Sequence, residues 1–255
     1  MIFNHSTFVG IDPSAGRRPL IYAAINRDLQ ILALGEGDLG EVTAFVGGQQ
    51  SACVAVNAPR RPNQGQMKLQ ELRDALKRVP RPGRWEGYRV AEYLLRQHNI
   101  RTPRTPAQVS NCPGWIQRGF EIYRRLENMG FQDYPVEDAP CQMLEVYPHA
   151  AFTALLGVLP FPKNSLEGRL QRQLVLHNRG IEIADPMRAF EEITRYRLLQ
   201  GVLPLDTIYS TEALDALVAA YTAWFAVHSP NEVTLLGVAA EGQIVIPVPE
   251  LRSKY

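Results

Sequence analysis

Phe8-Val9-Gly10-Ile11-Asp12-Pro13-Ser14-Ala15-Gly16 is an apolar run that ends on a carboxylate and then breaks into a Pro/Ser/Gly cluster. Phe, Val and Ile suit a buried pleated surface and the cluster ends it, which predicts a strand over residues 7–12. A rigid strand then holds Asp12 at a sheet edge. Metal ligands and catalytic acids are presented in this way, and so is an ordinary turn-forming Asp. Partners elsewhere in the chain have to decide between these readings.

Working outward, residues 20–26 and 29–34 read as two further short strands, joined by the tight Asn26-Arg27-Asp28 turn, so the chain opens with a meander. Residues 40–47 suit a short helix. Ala52-Cys53-Val54-Ala55-Val56 is a continuous apolar run of the kind found in parallel strands buried on both faces. Helical spacing of apolar residues recurs over 67–78, 90–98 and 115–129, the last through Ile116, Phe120, Tyr123 and Leu126. Residues 143–147 return to strand, and Pro148 suits the first position of a helix running to 156. Helices are predicted over 165–178, 186–200 and 211–227, the last with Thr211 as its N-cap. Residues 234–239 and 243–248, split by Glu241-Gly242, read as a terminal hairpin. A meander followed by alternating helix and strand implies an α/β fold: one mixed sheet, three antiparallel strands and then parallel ones, with helices on both faces.

The chain has 255 residues, 45% of them hydrophobic and 21% charged, enough to bury a full core as a single domain over 1–255. No apolar run reaches the roughly 18 residues of a membrane span, and no basic, then apolar, leader opens the sequence. Cys53, Cys112 and Cys141 are odd in number and far apart, unlike a disulfide framework or a zinc ribbon. A cytoplasmic protein with no membrane partner is the expectation.

Net charge is only +1, but it is unevenly spread. Residues 58–106 carry twelve Arg/Lys against four Asp/Glu, or +8, which leaves −7 on the remainder. This Pro/Arg-rich stretch, about 58–112, reads as a helical insertion. It is either an electrostatic footprint for a phosphate polymer or a solvated surface.

Three positions stand beside Asp12. Val54-Ala55-Val56-Asn57 repeats the strand that ends on a polar residue, with an amide in place of the acid. Glu145 lies within the strand around Leu144-Glu145-Val146, and Asp215 lies on the first turns of the last long helix, with Glu212 three residues earlier. Strands of a parallel sheet can bring their carboxyl ends into one crevice. Carboxylates sharing a site repel each other unless a cation neutralises them, and an all-oxygen set favours Mg2+ or Mn2+ over zinc. Each residue also has a structural reading: Glu145 as a solvated edge residue, Asp215 as a complement to the helix dipole, Asn57 as a turn former, and His149 as a hydrogen-bonded helix-start residue.

The combination FVGIDPSAG (8–16), VAVNAPR (54–60), CPGWIQRGFEIYRRL (112–126), EVYPHAAFTALLG (145–157), PKNSLEGRLQRQ (162–173) and LDALVAAYTAW (214–224) resembles the domain of unknown function 429 family, in order over residues 7–228. The resemblance implies an RNase H-like fold and a nuclease. It also implies a metal site built from Asp12, Glu145 and Asp215, with Asn57 where the family pattern has Asp. The block from Lys163 through Gly168-Arg169 to Arg172 is implied as a phosphate-contacting element.

The leading expectation is therefore a Mg2+- or Mn2+-dependent nuclease, a hydrolase of DNA or RNA, working by a two-metal type of mechanism. Asp12, Glu145, Asp215 and Asn57 are its catalytic set. Arg60, Arg61, Arg118, Lys163 and Arg169 are its substrate contacts, and Trp85, Tyr88 and Trp115 are candidates for stacking on bases, with core packing the alternative for Trp115. A second expectation keeps the fold as a nucleic-acid-binding or scaffolding module whose metal site has decayed at Asn57. A third is a phosphotransferase of the actin and sugar-kinase type. Pro13-Ser14-Ala15-Gly16 is a poor phosphate loop for that chemistry, and no Walker-type loop occurs.

Overall fold

The computed structural model describes residues 6–14, 18–76, 79, 83 and 85–255. β1 (Thr7–Asp12), β2 (Leu20–Ile25) and β3 (Ile31–Gly37) form the antiparallel meander. Helix α1 (Leu39–Gly47) then crosses to β4 (Ala52–Val56), parallel to β1. After α2 (Gln70–Asp74), α3 (Val90–Gln97) and α4 (Gly114–Asn128) come the two-residue β5 (Gln132–Asp133) and β6 (Cys141–Glu145), which is parallel to β4. Five helices follow: α5 (Pro148–Leu156), α6 (Leu166–Asn178), α7 (Arg188–Glu192), α8 (Arg195–Leu199) and α9 (Thr211–His228). The hairpin β7 (Thr234–Val238) and β8 (Gly242–Ile246) closes the order β3-β2-β1-β4-β6-β8-β7, with β5 beside β6.

Strand alternation sorts the core into two layers. Val9, Ile11, Val54, Val56 and Met143 point to one face, where Val42 and Val46 of α1 and Ile122 and Leu126 of α4 cover them. Phe8, Cys53, Ala55, Leu144 and Val146 point to the other, beneath α9, α5 and α6. Helices on both faces were the expectation, and both are present. Each fully buried Phe or Ile side chain here contributes about 2–3 kcal/mol of transfer free energy.

Helix α9 is apolar nearly all round because it is buried between the sheet and the outer helices. It lies directly on β1. A Cβ added at Gly10 would sit 2.0 Å from the Ala216 carbonyl oxygen and 2.4 Å from the Ala220 nitrogen. Only glycine allows that approach.

Several elements differ from expectation. The N-cap of α9 is Ser210, whose hydroxyl accepts from the Ala213 amide; Thr211 instead donates to the Lys163 carbonyl at 3.1 Å. The predicted helix over 186–200 is two short helices. Ile193 is extended and Thr194 caps α8 by accepting from the Arg197 amide, so a β-branched pair and a local side-chain bond interrupt the ladder. Over 67–78 the chain makes a turn of 3-10 helix (Gln66–Lys68) and the short α2, while Lys77 and Arg78 lie outside the described residues. Among the described residues no helix is long and apolar enough to cross a membrane.

Candidate active site

Asp12 is 7% exposed, and both of its oxygens are engaged. Oδ1 accepts from the Ser14 amide at 2.8 Å, an Asx turn that the Pro13-Ser14 break favours, and Oδ2 accepts from Asn57 Nδ2 at 3.1 Å. Asn57 arrives there because its own amide extends the β1–β4 ladder, donating to the Ile11 carbonyl at 2.9 Å. Burial raises the Asp12 pKa, opposed by the Ser14 and Asn57 hydrogen bonds and the Lys163 charge.

Asp215 is also buried, and Lys163 Nζ lies 3.3 Å from its Oδ2. Its pKa is pushed up to about 7, chiefly by burial and further by the charge of Asp12, while Lys163 and Arg172 act against the rise. Lys163 is half exposed and acts on both acids. Its position is fixed by the Thr211 bond to its carbonyl, which ties the α5–α6 loop to the start of α9.

Glu145 does not join this pair. In the parallel register Ile11 pairs with Val56 and Val56 with Glu145, so these three side chains share the face covered by α4. Asp12 lies one residue further along its strand and points to the opposite face, towards α9. With a side-chain period of two, an offset of one residue reverses the face. Glu145 is gripped by Arg89 instead: Nη1 donates to Oε2 at 2.9 Å and Nη2 to Oε1, while the Arg60 amide donates to Oε2 at 2.7 Å. Arg89, 1% exposed, also binds Glu92 Oε1 at 3.1 Å and the Glu241 carbonyl at 2.9 Å. Glu145 is thus held in a buried ion-pair knot, on the face of the sheet opposite the one to which Asp12 points, where the expectation had set it beside Asp12 and Asp215.

The predicted substrate contacts divide similarly. Arg60, expected as a substrate contact, is buried and paired with Asp133 (2.6 Å) and Glu127. Arg61 lies 3.6 Å from Asp133. Arg118 donates to the Arg18 carbonyl at 2.8 Å and lines a separate hollow with Gln117 and Arg124. Arg169 sits on α6 and is not among the residues that line the acids' cleft. Lys163 alone of the five stands between the acids. Within the basic segment Arg60 and Arg89 are interior ion-pair members, and Lys77, Arg78, Arg81 and Arg84 lie outside the described residues. Trp85 and Tyr88 pack on each other and on Tyr93 in a satellite core. Trp115 faces the cleft.

Two hollows meet at Lys163. An open cleft of about 750 Å3 is lined by Asp12, Ser14, Arg18, Asn57, Trp115 and Glu212, with Pro103 of the basic segment as a wall. A second, of about 630 Å3, is lined by Asp215, His149, Phe161 and Arg172. Asn57, Tyr147 and Lys163 border both. Sequence reasoning left His149 as a structural residue, reached Arg172 only as the end of the phosphate-contacting block 163–172 that the family resemblance implies, and did not single out Arg18. No local pattern distinguishes these from surface cations; folding assembles them.

Among the described residues no cluster of three or more Asp, Glu, His or Cys is close enough to cage a metal. Asp12 and Asp215 still suit Mg2+ or Mn2+, which are commonly held by one or two carboxylates with water and substrate phosphate completing the shell. Lys163 already supplies a positive charge to both acids.

The family model described as "Protein of unknown function (DUF429)" matches residues 10–240, and the chain belongs to that family. No curated protein and no solved structure matches it.

Proposed function

We propose that this member of the family is a metal-dependent nuclease of RNase H-like fold, hydrolysing the phosphodiester backbone of DNA or RNA in a reducing, cytoplasmic setting. One observation carries the reading. Two buried acids, from the end of β1 and the start of α9, face a shared cation at the carboxyl ends of parallel strands, beside an open cleft. The antiparallel meander followed by parallel strands supports the fold assignment, and three free cysteines agree with a reducing compartment.

A divalent cation bound there supplies Lewis-acid stabilisation of a phosphoryl oxygen and a more acidic water. Asp12 and Asp215 would hold it, and Asn57 and the Ser14 amide keep the Asp12 carboxylate turned into the cleft. Lys163, freed from Asp215, contacts a substrate phosphate through a charge-assisted hydrogen bond. Trp115 offers its ring to a base.

Cleavage of labelled single- and double-stranded DNA and RNA, with and without Mn2+, is the test. Asp12→Ala abolishes the Mn2+-stimulated activity; cleavage unchanged in that variant refutes the assignment.

The pairing of Asn57 with Asp12 and of Lys163 with Asp215 also supports a second reading, a nucleic-acid-binding module that has lost its chemistry. Salt-sensitive binding that is indifferent to Mg2+, with no hydrolysis, selects it.

A further inference from the structure

The hollow beside the acids contains a cation that the fold leaves without an ion-pair contact, although the Asp215 charge acts on it from across the hollow. Arg172 reaches back along α6 and is 2% exposed. Its Nη1 donates to the Phe161 carbonyl at 3.0 Å and the Gly168 carbonyl at 2.8 Å, and its guanidinium carbon lies 5.4 Å from the centre of the Phe152 ring. These partners carry no charge. Among the described residues no carboxylate lies within 4 Å of it, and Asp215, which borders the same hollow, is bonded to Lys163 instead. A guanidinium offers five N–H donors, and two carbonyls do not exhaust them. Burying such a group without an anion is unfavourable, and an incoming anion offsets the penalty.

The surroundings suit one. His149 and Lys163 line the same hollow, and burial together with the Arg172 and Lys163 charges lowers the His149 pKa, which favours the neutral ring with its single N–H. Phe161, with Pro160 and Pro162, forms an apolar rim. We infer that this hollow is a phosphoryl-binding subsite, in which Arg172, Lys163 and His149 grip the terminal phosphate of a phosphate monoester placed next to the acids. The subsite stands on its own donors and not on the nuclease reading.

Calorimetry in EDTA, with no divalent metal, tests it using inorganic phosphate, a 5′-phosphorylated dinucleotide and the same dinucleotide without the phosphate. The phosphorylated ligand binds about tenfold or more tightly than its unphosphorylated counterpart. Arg172→Met removes that difference, and Arg172→Lys, which keeps the charge, retains part of it. Inorganic phosphate binding as tightly as the phosphorylated dinucleotide supports the subsite and identifies a free anion as its occupant. Equal affinities for the two dinucleotides, or phosphate binding unchanged in a folded Arg172→Met protein, overturn it. A readout without substitution guards against misfolding: the His149 ring resonances of the wild-type protein shift when phosphate is added, and unmoved resonances overturn the inference. Phosphate binding without any cleavage leaves the subsite in place and removes only the nuclease reading.

Discussion

Asp215 shows how a single carboxyl can couple the site to stability. Its pKa in the fold is about 7, against 3.8 for a free side chain, because burial and the Asp12 charge disfavour ionisation. A raised acid binds a proton in the folded state that the unfolded chain has already released. Its stabilising contribution is therefore complete below about pH 4 and is lost as pH rises towards and through 7. In metal-free buffer, thermal unfolding should show stability declining from pH 5 to pH 8, and Asp215→Asn should flatten that decline. An equally steep decline in the variant would place its origin elsewhere. Gly10 matters for a different reason, since it lets α9 touch β1 and so sets how close Asp215 comes to Asp12. Gly10→Ala drives a methyl group into helix backbone that cannot swing aside, and should destabilise the protein by about 1–3 kcal/mol in denaturant melts. It should also reduce metal-stimulated cleavage although residue 10 touches no substrate.

At the scale of elements, the strands were the readable part. Apolar runs ending in Pro, Gly or Asn fixed β1, β4 and the hairpin to within a residue or two, because periodicity and turn chemistry are local. Facing was not readable in the same way. Asp12 and Glu145 are both acids of short apolar strands, one at the end of its run and one within it, yet register places them on opposite faces of the sheet, and register is a property of paired strands. The 186–200 segment was misread for the converse reason: its apolar spacing suits a helix, but Thr194 uses its own side chain to start a new one. The charge of the basic segment is not all at the surface. Arg60 and Arg89 count towards +8, yet they are spent inside the fold on Glu127, Asp133, Glu92 and Glu145.

Across the whole molecule, Arg89 joins its neighbour Glu92 at the start of α3 to two distant parts of the chain, Glu145 at the end of β6 and the Glu241 carbonyl in the β7–β8 turn. Arg89→Met leaves two buried carboxylates short of their cation and should cost about 3–5 kcal/mol of stability, measured by urea unfolding. Glu145→Gln should likewise lower stability while leaving Mn2+ affinity within about twofold, as expected of a residue outside the metal site; a large loss of Mn2+ binding would return Glu145 to the site. Glu92 extends the same knot by accepting from the Thr105 amide at 3.1 Å, just beyond Pro103 in the wall of the cleft. The wall and the terminal hairpin should consequently open together as one cooperative unit in hydrogen exchange. Amide hydrogens in β8 report, by slower exchange with solvent, on a ligand resting against Pro103 that the hairpin itself never touches.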